Sequence, residues 1–191
     1  MVINLKNKDK QIVENFIRKV IDGDTTVQDS INNIINNIQN EDMCFNNIKK
    51  YIGLEYNIIG FGEGRICFDY SKNRILKIAY NSIGLKKCKN EIDIWSLNNK
   101  EINKFLFKIY HSGEGWIVSE KFNEMIHIED MTSEIVEIGY NLCKEMQLSN
   151  IKHSNIVRFD NPETVYADNV ARSFKDNKIK FFDFGYCYIK K

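Results

Sequence analysis

Two oxygen-bearing side chains near the end of the sequence are the strongest candidates for chemistry. Asp183 follows an apolar run, and a glycine comes two positions later, in the order Phe-Phe-Asp-Phe-Gly over residues 181–185. Asn169 lies fourteen positions upstream, just ahead of a predicted hairpin of strands 170–174 and 178–182. Both side chains are therefore expected at the base of that hairpin. A carboxylate and an amide oxygen are hard ligands, and the pair predicts a shared Mg²⁺ ion.

A glycine-rich turn is the second candidate. Gly60, Gly62 and Gly64 lie between two runs that are typical of β-strands. Without a Cβ, backbone N–H groups can approach a phosphate closely, so the pattern favours phosphate binding. A plain flexible hairpin turn produces the same pattern and is an equally good interpretation of these glycines alone.

Lys77 and Glu91 form a third candidate group. Lys77 lies inside an apolar run, residues 75–79, where an ammonium group must either face solvent or find an anionic partner. Glu91 lies fourteen positions later, next to the apolar stripe of a predicted helix. We expect Glu91 to pair with Lys77 and to orient it towards a phosphate.

The periodicity of apolar residues predicts the elements that carry these groups. Residues 13–21 and 27–38 predict two N-terminal helices, the second capped by Thr25 or Thr26. Residues 56–80 predict a three-stranded meander, and a helix with Leu85, Cys88, Ile92 and Trp95 on one face follows it. Lys86, Lys87 and Lys89 are expected on the solvent-facing side of that helix. A further hairpin is predicted over 105–122 and a long amphipathic helix over 135–146.

The composition excludes several classes of protein. With 191 residues, of which 43% are hydrophobic, the chain can bury a core, so disorder is not expected. A formal charge of +1 provides no overall field for nucleic acid or an anionic membrane, and no partner of either kind is expected. Five scattered cysteines favour free thiols over disulfides or zinc. The absence of a long apolar segment or signal-type N-terminus predicts a cytoplasmic protein.

The order of these features resembles the protein kinase-like superfamily, which includes the aminoglycoside-type phosphotransferases. The resemblance extends over about residues 56–186, and it is most specific at Asn169 and Asp183. It implies that ATP and Mg²⁺ are the cofactors and that Lys77 holds the α- and β-phosphates. It also implies that the backbone of Ser119, Glu120 and Lys121 is the hinge that contacts adenine.

The sequence departs from the kinase pattern where the general base is expected. The resemblance puts a catalytic aspartate five residues before Asn169, but that position is Thr164, which has no carboxylate. Asp160 and Glu163 are the nearest substitutes. An alternative alignment makes residues 153–155 the catalytic triplet and places Asp160 at the metal asparagine position. That alignment makes the distance to Asp183 too long, and we rank it second.

We therefore predict an α+β protein with a minimal two-lobed kinase-like fold. The predicted parts are an N-terminal helical extension (1–52), a sheet-rich N-lobe with one helix (53–122) and a truncated C-lobe (123–191). The expected function is binding of ATP and Mg²⁺ with weak or no phosphotransfer, that is, a pseudokinase.

Two alternative functions remain open, and a broader resemblance bears on the partner. The alternatives are an active kinase with a noncanonical carboxylate, and a non-enzymatic interaction module on the same scaffold. The small size resembles compact kinase-fold proteins encoded by bacteriophages, which implies a host protein as partner and the host cytoplasm as location. The oligomeric state and the substrate do not follow from the sequence.

Overall fold

The computed structural model describes residues 5–37, 40–153, 156–161, 164–167 and 169–190. In this part of the chain α-helices are combined with antiparallel β-sheets, so the predicted α+β class is confirmed. The α-helices are α1 (Asn7–Ile21), α2 (Thr25–Asn37), α3 (Glu41–Ile52), α4 (Ser82–Ser96), α5 (Lys100–Asn103) and α6 (Ser133–Leu148). Short 3₁₀ turns lie at Ile128–Asp130 and Phe184–Tyr186.

Within the described ranges the strands form one five-stranded sheet and three smaller ones. The strands are β1 (Ile58–Phe61), β2 (Arg65–Ser71), β3 (Arg74–Ala79), β4 (Ile109–Gly113), β5 (Trp116–Glu120), β6 (Phe122–Met125), β7 (Ile151–Lys152), β8 (Val157–Asn161), β9 (Thr164–Ala167), β10 (Val170–Ser173), β11 (Ile179–Phe181) and β12 (Tyr188–Ile189). The larger sheet has the order β1-β2-β3-β5-β4, and the smaller ones have the orders β11-β10-β6, β12-β7 and β8-β9.

The chain divides into two compact units, each built from two stretches of sequence. The first unit consists of Met1–Cys88 and Tyr110–Ser119, and the second of Lys89–Ile109 and Glu120–Lys191. The N-terminal helices therefore belong to the same unit as most of the five-stranded sheet, and α4 begins in the first unit and ends in the second.

In the first unit the N-terminal helices pack against the sheet. α1 buries Val13, Phe16 and Ile17, as the periodicity predicts, and it contacts β3. The carboxylate of Asp9 on α1 accepts a hydrogen bond from the Tyr56 hydroxyl at 2.6 Å, and burial together with Asp9 raises the pKa of that tyrosine. This bond links the helix to the segment ahead of β1.

Two details of these helices differ from the prediction. The side chain of Asp24, and not Thr25 or Thr26, caps α2, since its carboxylate accepts the Thr26 N–H at 3.0 Å. A third helix, α3, follows, with Asn40 as its N-cap and Gly53 in a left-handed conformation as its C-cap. The expected two-helix hairpin is therefore a three-helix segment.

The second unit is built around α6 and the sheet β11-β10-β6. Both pairings in this sheet are antiparallel, and Val170 pairs with Phe181 at the end of the β10–β11 hairpin. The unit encloses a hydrophobic core to which α6 contributes Ile135, Leu142 and Met146. None of the helices in the described ranges is both long and apolar enough to cross a membrane.

The buried face of α4 is more polar than the sequence pattern predicts. Lys87, Cys88, Glu91 and Ile94 are its buried residues from position 87 onward, at helical spacing. The expectation that Lys87 lies on a solvated face is therefore wrong, whereas Lys86 and Lys89 are exposed as predicted.

Candidate functional site

The three glycines of the β1–β2 turn have different surroundings. A Cβ on Gly64 would overlap the backbone N of Gly84 at the start of α4 and would lie 2.6 Å from Asn81 Oδ1. Around Gly60 and Gly62, in contrast, no heavy atom lies within 4 Å of an added Cβ, and neither residue has the left-handed φ that requires glycine. Packing of this chain therefore explains Gly64 but does not explain Gly60 or Gly62.

Residues around the start of α4 hold this turn through its carbonyl groups. The Tyr80 hydroxyl donates to Gly62 O at 2.8 Å, Asn81 Nδ2 donates to Glu63 O at 2.9 Å, and the Tyr80 N–H donates to Gly64 O at 3.0 Å. Lys87 Nζ lies 3.5 Å from the Glu63 carboxylate. We call this set the turn clamp; its members are Tyr80, Asn81, Gly84 and Lys87.

The turn clamp determines which way the peptide groups of the turn face. In a trans peptide the C=O of one residue and the N–H of the next point in opposite directions, and the described chain contains no cis peptide. Since the carbonyls of Gly62 and Glu63 face the clamp, the N–H groups of Glu63 and Gly64 face away from it. Adjacent N–H groups on one side of a turn are an arrangement that binds anions.

The hydroxyl of Tyr80 remains a donor over the physiological pH range. Burial, reinforced by the negative charge of Glu63 and opposed by Lys87, raises the pKa of Tyr80. The phenol therefore stays protonated and keeps its bond to Gly62 O.

Lys77 lies in the same cross-strand row of the sheet as Gly60. Gly60 of β1 pairs with Cys67 of β2, and Cys67 pairs with Lys77 of β3. Residues directly opposite each other in antiparallel strands share a face, so these three form one row. Lys77 is 6% exposed, and it belongs to the first unit.

Glu91, the predicted partner of Lys77, is 1% exposed and belongs to the second unit. A carboxylate this deeply buried requires a cation or hydrogen-bond donors, and the buried ammonium of Lys77 requires an anion or hydrogen-bond acceptors. The ion pair between the two residues stays a prediction.

Asn169 and Asp183 meet at one end of the β10–β11 hairpin. The Phe182 N–H donates to the Asn169 carbonyl at 2.8 Å, one step beyond the last strand pair. Both residues have left-handed backbones, with φ of 52° at Asn169 and 53° at Asp183. Asn and Asp tolerate this conformation better than most residues, but it still carries strain, which is common at ligand sites. The structure thus places the backbones of Asn169 and Asp183 at the same end of the hairpin, and their sharing of a Mg²⁺ ion stays a prediction.

The glycine after Asp183 is held by α4. Asn90 Nδ2 donates to Gly185 O at 2.6 Å. Phe184, which lies between Asp183 and Gly185 in the sequence, is buried in the core of the second unit. The end of the chain segment that carries Asp183 is therefore fixed on both sides, by the hairpin before it and by Asn90 after it.

One of the predicted hinge residues, Glu120, forms a buried ion pair with Lys180. Glu120 is 2% exposed, and its carboxylate accepts two hydrogen bonds from Lys180 Nζ, at 2.8 and 3.0 Å, and one from the Ser173 hydroxyl. Its backbone N–H donates to the Lys108 carbonyl at 2.8 Å, and the Lys121 carbonyl accepts from Phe174 N at 3.2 Å. These bonds fix the backbone of the segment.

An aromatic stack connects this segment to the metal-ligand candidates. Phe122 follows Lys121, Phe182 precedes Asp183, and their rings stack at 5.2 Å between centroids with an interplanar angle of 23°. Phe107 meets both rings edge-on. Both phenylalanines of the stack are half-buried, so part of this apolar surface stays accessible.

Of the two candidate substitutes for the general base, Asp160 and Glu163, only Asp160 lies among the described residues. Glu163 lies outside the described residues, and so do Ser154 and Asn155 of the second alignment. The backbones of Asp160 and Thr164 lie in the paired strands β8 and β9, but their side chains are outside the description. Their catalytic roles stay predictions.

Other combinations of reactive side chains do not form a site. Within the described ranges no group of three or more His, Cys, Asp or Glu residues is placed to hold a metal ion. Cys143 Sγ lies 3.7 Å from His153 Nδ1, but burial raises the pKa of the Cys143 thiol to about 11 and lowers that of His153. A protonated thiol beside a neutral imidazole is a poor nucleophile.

The sequence patterns did not single out Asn81, Gly84, Ser173 or Lys180. Asn81 had a local signal, since it immediately precedes a predicted helix and Asn is a favoured N-cap. Lys180 and Ser173 had none, because each contacts Glu120 across more than fifty positions of sequence.

Comparisons with known proteins find similarity to solved structures only. No protein-family model and no curated protein sequence matches the chain. A solved ternary complex of streptomycin, ATP and APH(2″)-IIa is similar with a TM-score of 0.37 and 11% sequence identity. The similarity covers 64% of this chain but only 42% of that structure's chain.

Proposed function

We propose that this protein binds ATP together with Mg²⁺ on a kinase-like scaffold and transfers phosphate weakly or not at all. The observation that carries the proposal is the position of Asn169 and Asp183, both with left-handed backbones, at the same end of the β10–β11 hairpin. Mg²⁺ in nucleotide sites is held by one or two protein oxygens, with phosphate oxygens and water completing the set. An amide and a carboxylate fit that requirement.

The first unit supplies the proposed phosphate contacts. Gly60 and Gly62 have no packing reason to be glycine, and the N–H groups of Glu63 and Gly64 face away from the turn clamp. Lys77 adds a positive charge in the same row of the sheet. Together these features support binding of an anionic group at this turn.

Segment 119–121, of which Glu120 and Lys121 belong to the second unit, supplies the proposed adenine contacts, and the second unit supplies the proposed metal contacts. Segment 119–121 is immobilised by the buried pair of Glu120 and Lys180, and Phe122 and Phe182 present a half-buried apolar surface beside it. A purine needs a flat apolar surface and backbone hydrogen bonds. When bound, Mg²⁺ neutralises phosphate charge, and Asn169 and Asp183 are the residues that would hold it.

Weak phosphotransfer follows from Thr164 at the position where the resemblance implies an aspartate. General-base assistance contributes about 10²–10⁴-fold to proton-transfer steps, whereas positioning and charge stabilisation supply most of the rate of phosphoryl transfer. A chain that retains Lys77, Asn169 and Asp183 is therefore expected to keep only trace activity. The proposed role is that of a binding or signalling factor, with a host protein as partner if a phage encodes the chain.

Calorimetry with ATP tests the proposal. We expect ATP to bind more tightly with Mg²⁺ than with a chelator, and Asp183→Asn to weaken Mg²⁺-dependent binding at least about tenfold, or about 1.4 kcal/mol. Asp176→Asn is the matched control, because Asp176 lies in the turn at the other end of the same hairpin. Absence of ATP binding by the unmodified protein would favour the interaction-module alternative, and equal binding by Asp183→Asn would exclude Asp183 as a ligand.

Transfer of labelled γ-phosphate separates a pseudokinase from an active kinase. We expect activity near the detection limit, raised by Thr164→Asp if Asn169 is the metal asparagine. Robust activity that is lost in Asp160→Ala or Glu163→Ala, but retained in Thr164 variants, would instead identify a displaced base.

A further inference from the structure

Asn81 joins two structural elements through the two ends of one amide. Its Oδ1 accepts the Gly84 N–H at 2.9 Å, which is the N-cap bond of α4, and its Nδ2 donates to Glu63 O in the glycine turn at 2.9 Å. The residue is 7% exposed. A helix cap and a turn are thus held by a single buried side chain.

Asparagine is suited to this position because the two bonds require opposite chemistry. Asp, Ser and Thr cap helices as well as Asn does, because capping needs only an oxygen acceptor. The bond to Glu63 O needs a donor in addition, which an aspartate carboxylate lacks. The capping requirement alone therefore does not explain the amide.

The contact between Gly64 and Gly84 makes the join tight. A Cβ on Gly84 would overlap the Gly64 carbonyl oxygen, so the turn backbone lies directly against the first turn of α4. A small shift of the turn therefore requires a shift of α4 or the loss of the Asn81 bond.

We propose that Asn81 is a positioning residue for phosphate binding: its amide locks the glycine turn to α4, so that the N–H groups of Glu63 and Gly64 are presented to the phosphates of a nucleotide. This inference rests on the proposed function. Asn81 itself makes its bonds to the protein, and it acts through the orientation of the Glu63 peptide groups. A pre-oriented turn binds more tightly, because the ordering cost is met during folding.

Asn81→Asp and Asn81→Ser separate the two bonds. Both variants keep an oxygen for the α4 cap. The Asp carboxylate has no donor for Glu63 O, and the single oxygen of Ser cannot occupy the positions of both Oδ1 and Nδ2 of Asn81. Asn81→Ser also serves as the control for the negative charge that Asp brings near the phosphates. Asn81→Ala removes both bonds.

Hydrogen exchange of the protein without nucleotide is the first measurement. In Asn81→Asp and Asn81→Ser we expect faster exchange in peptides covering 58–66 and unchanged exchange in α4, whereas Asn81→Ala should accelerate both. Unchanged exchange of the turn in both cap-retaining variants would overturn the inference, whatever the protein binds.

Calorimetry with ATP and Mg²⁺ is the second measurement. Losing one orienting hydrogen bond is expected to weaken binding about fivefold to tenfold in both cap-retaining variants, with a melting temperature close to that of the unmodified protein. If the unmodified protein binds no ATP, the proposed function fails and the proposed role in phosphate binding fails with it. If it binds ATP and the cap-retaining variants bind equally well, only the role of Asn81 is excluded.

Discussion

Two segments assigned to the nucleotide are held in different ways: the glycine turn of the first unit, and segment 119–121, of which Glu120 and Lys121 belong to the second unit. The turn is held mainly by neutral hydrogen bonds to its own carbonyls, from Tyr80 and Asn81. Segment 119–121 is held by a charged side chain, Glu120, which is buried against Lys180.

The difference separates positioning from stability. A neutral hydrogen bond contributes about 1 kcal/mol, so loosening the turn should change ligand binding more than folding. A buried ion pair is different, because removing one partner leaves an uncompensated charge in the interior. Substitutions in the two segments should therefore give opposite patterns of stability loss and binding loss.

The largest expected effect is that of Lys180→Met. It leaves the Glu120 carboxylate buried, with Ser173 and the Lys108 N–H as its hydrogen-bond donors. We expect a loss of about 3–5 kcal/mol in the free energy of unfolding, measured by urea denaturation. Lys178→Met is the matched control, since Lys178 is exposed. The double variant Lys180→Met with Glu120→Gln should recover part of the loss; a loss below about 1 kcal/mol in the single variant would show that the pair is not a stabilising element.

An intermediate effect is expected within the glycine turn itself. Gly64→Ala forces a Cβ against Gly84 and should cost about 1–3 kcal/mol, as overpacking does. Gly62→Ala meets no atom, and it should leave stability unchanged or raise it by about 0.4–1 kcal/mol. Under the proposed function Gly62→Ala nevertheless weakens ATP binding. Equal stability loss in the two variants would contradict the distinction between them.

The last prediction uses chemical labelling of cysteines in the unmodified protein, so it involves no substitution and the smallest effect on stability. Cys67 lies between Gly60 and Lys77 and is half-buried, so bound ATP should slow its alkylation by iodoacetamide. Cys143, also half-buried, should react slowly at pH 8 with or without ATP, because its thiolate forms only as the pH approaches about 11.

Mass spectrometry of the labelled peptides identifies each thiol, and raising the pH should increase the rate at Cys143. Equal slowing of both thiols by ATP would indicate a general tightening of the protein and would not support a local contact at the turn.

The features predicted correctly from the sequence depend on neighbours along the chain. Apolar spacing predicted α1, and the alternation of strands and glycines predicted the meander of β1, β2 and β3. The placement of Asn169 and Asp183 at one end of the hairpin follows from the sequence because one short hairpin connects them, and their role as ligands stays a prediction.

The features that were missed depend on distant partners. Lys87 is buried beside Glu63, and Lys180 pairs with Glu120 sixty positions away. No local pattern distinguishes such lysines from solvated ones. The third helix, α3, was a different failure, since Asn40, Gly53 and the four-residue spacing of Cys44, Ile48 and Ile52 were local signals for it.

The contact between Gly64 and Gly84 has a consequence for tracing the ancestry of this fold. Neither position accepts a side chain while the turn lies against α4, and Asn81 is the residue that combines a cap with a donor. Chains that descend from the same ancestor should therefore retain Gly, Asn and Gly at the spacing of Gly64, Asn81 and Gly84 after overall identity has been lost. That three-residue signature would recognise distant relatives by a shared constraint on the backbone.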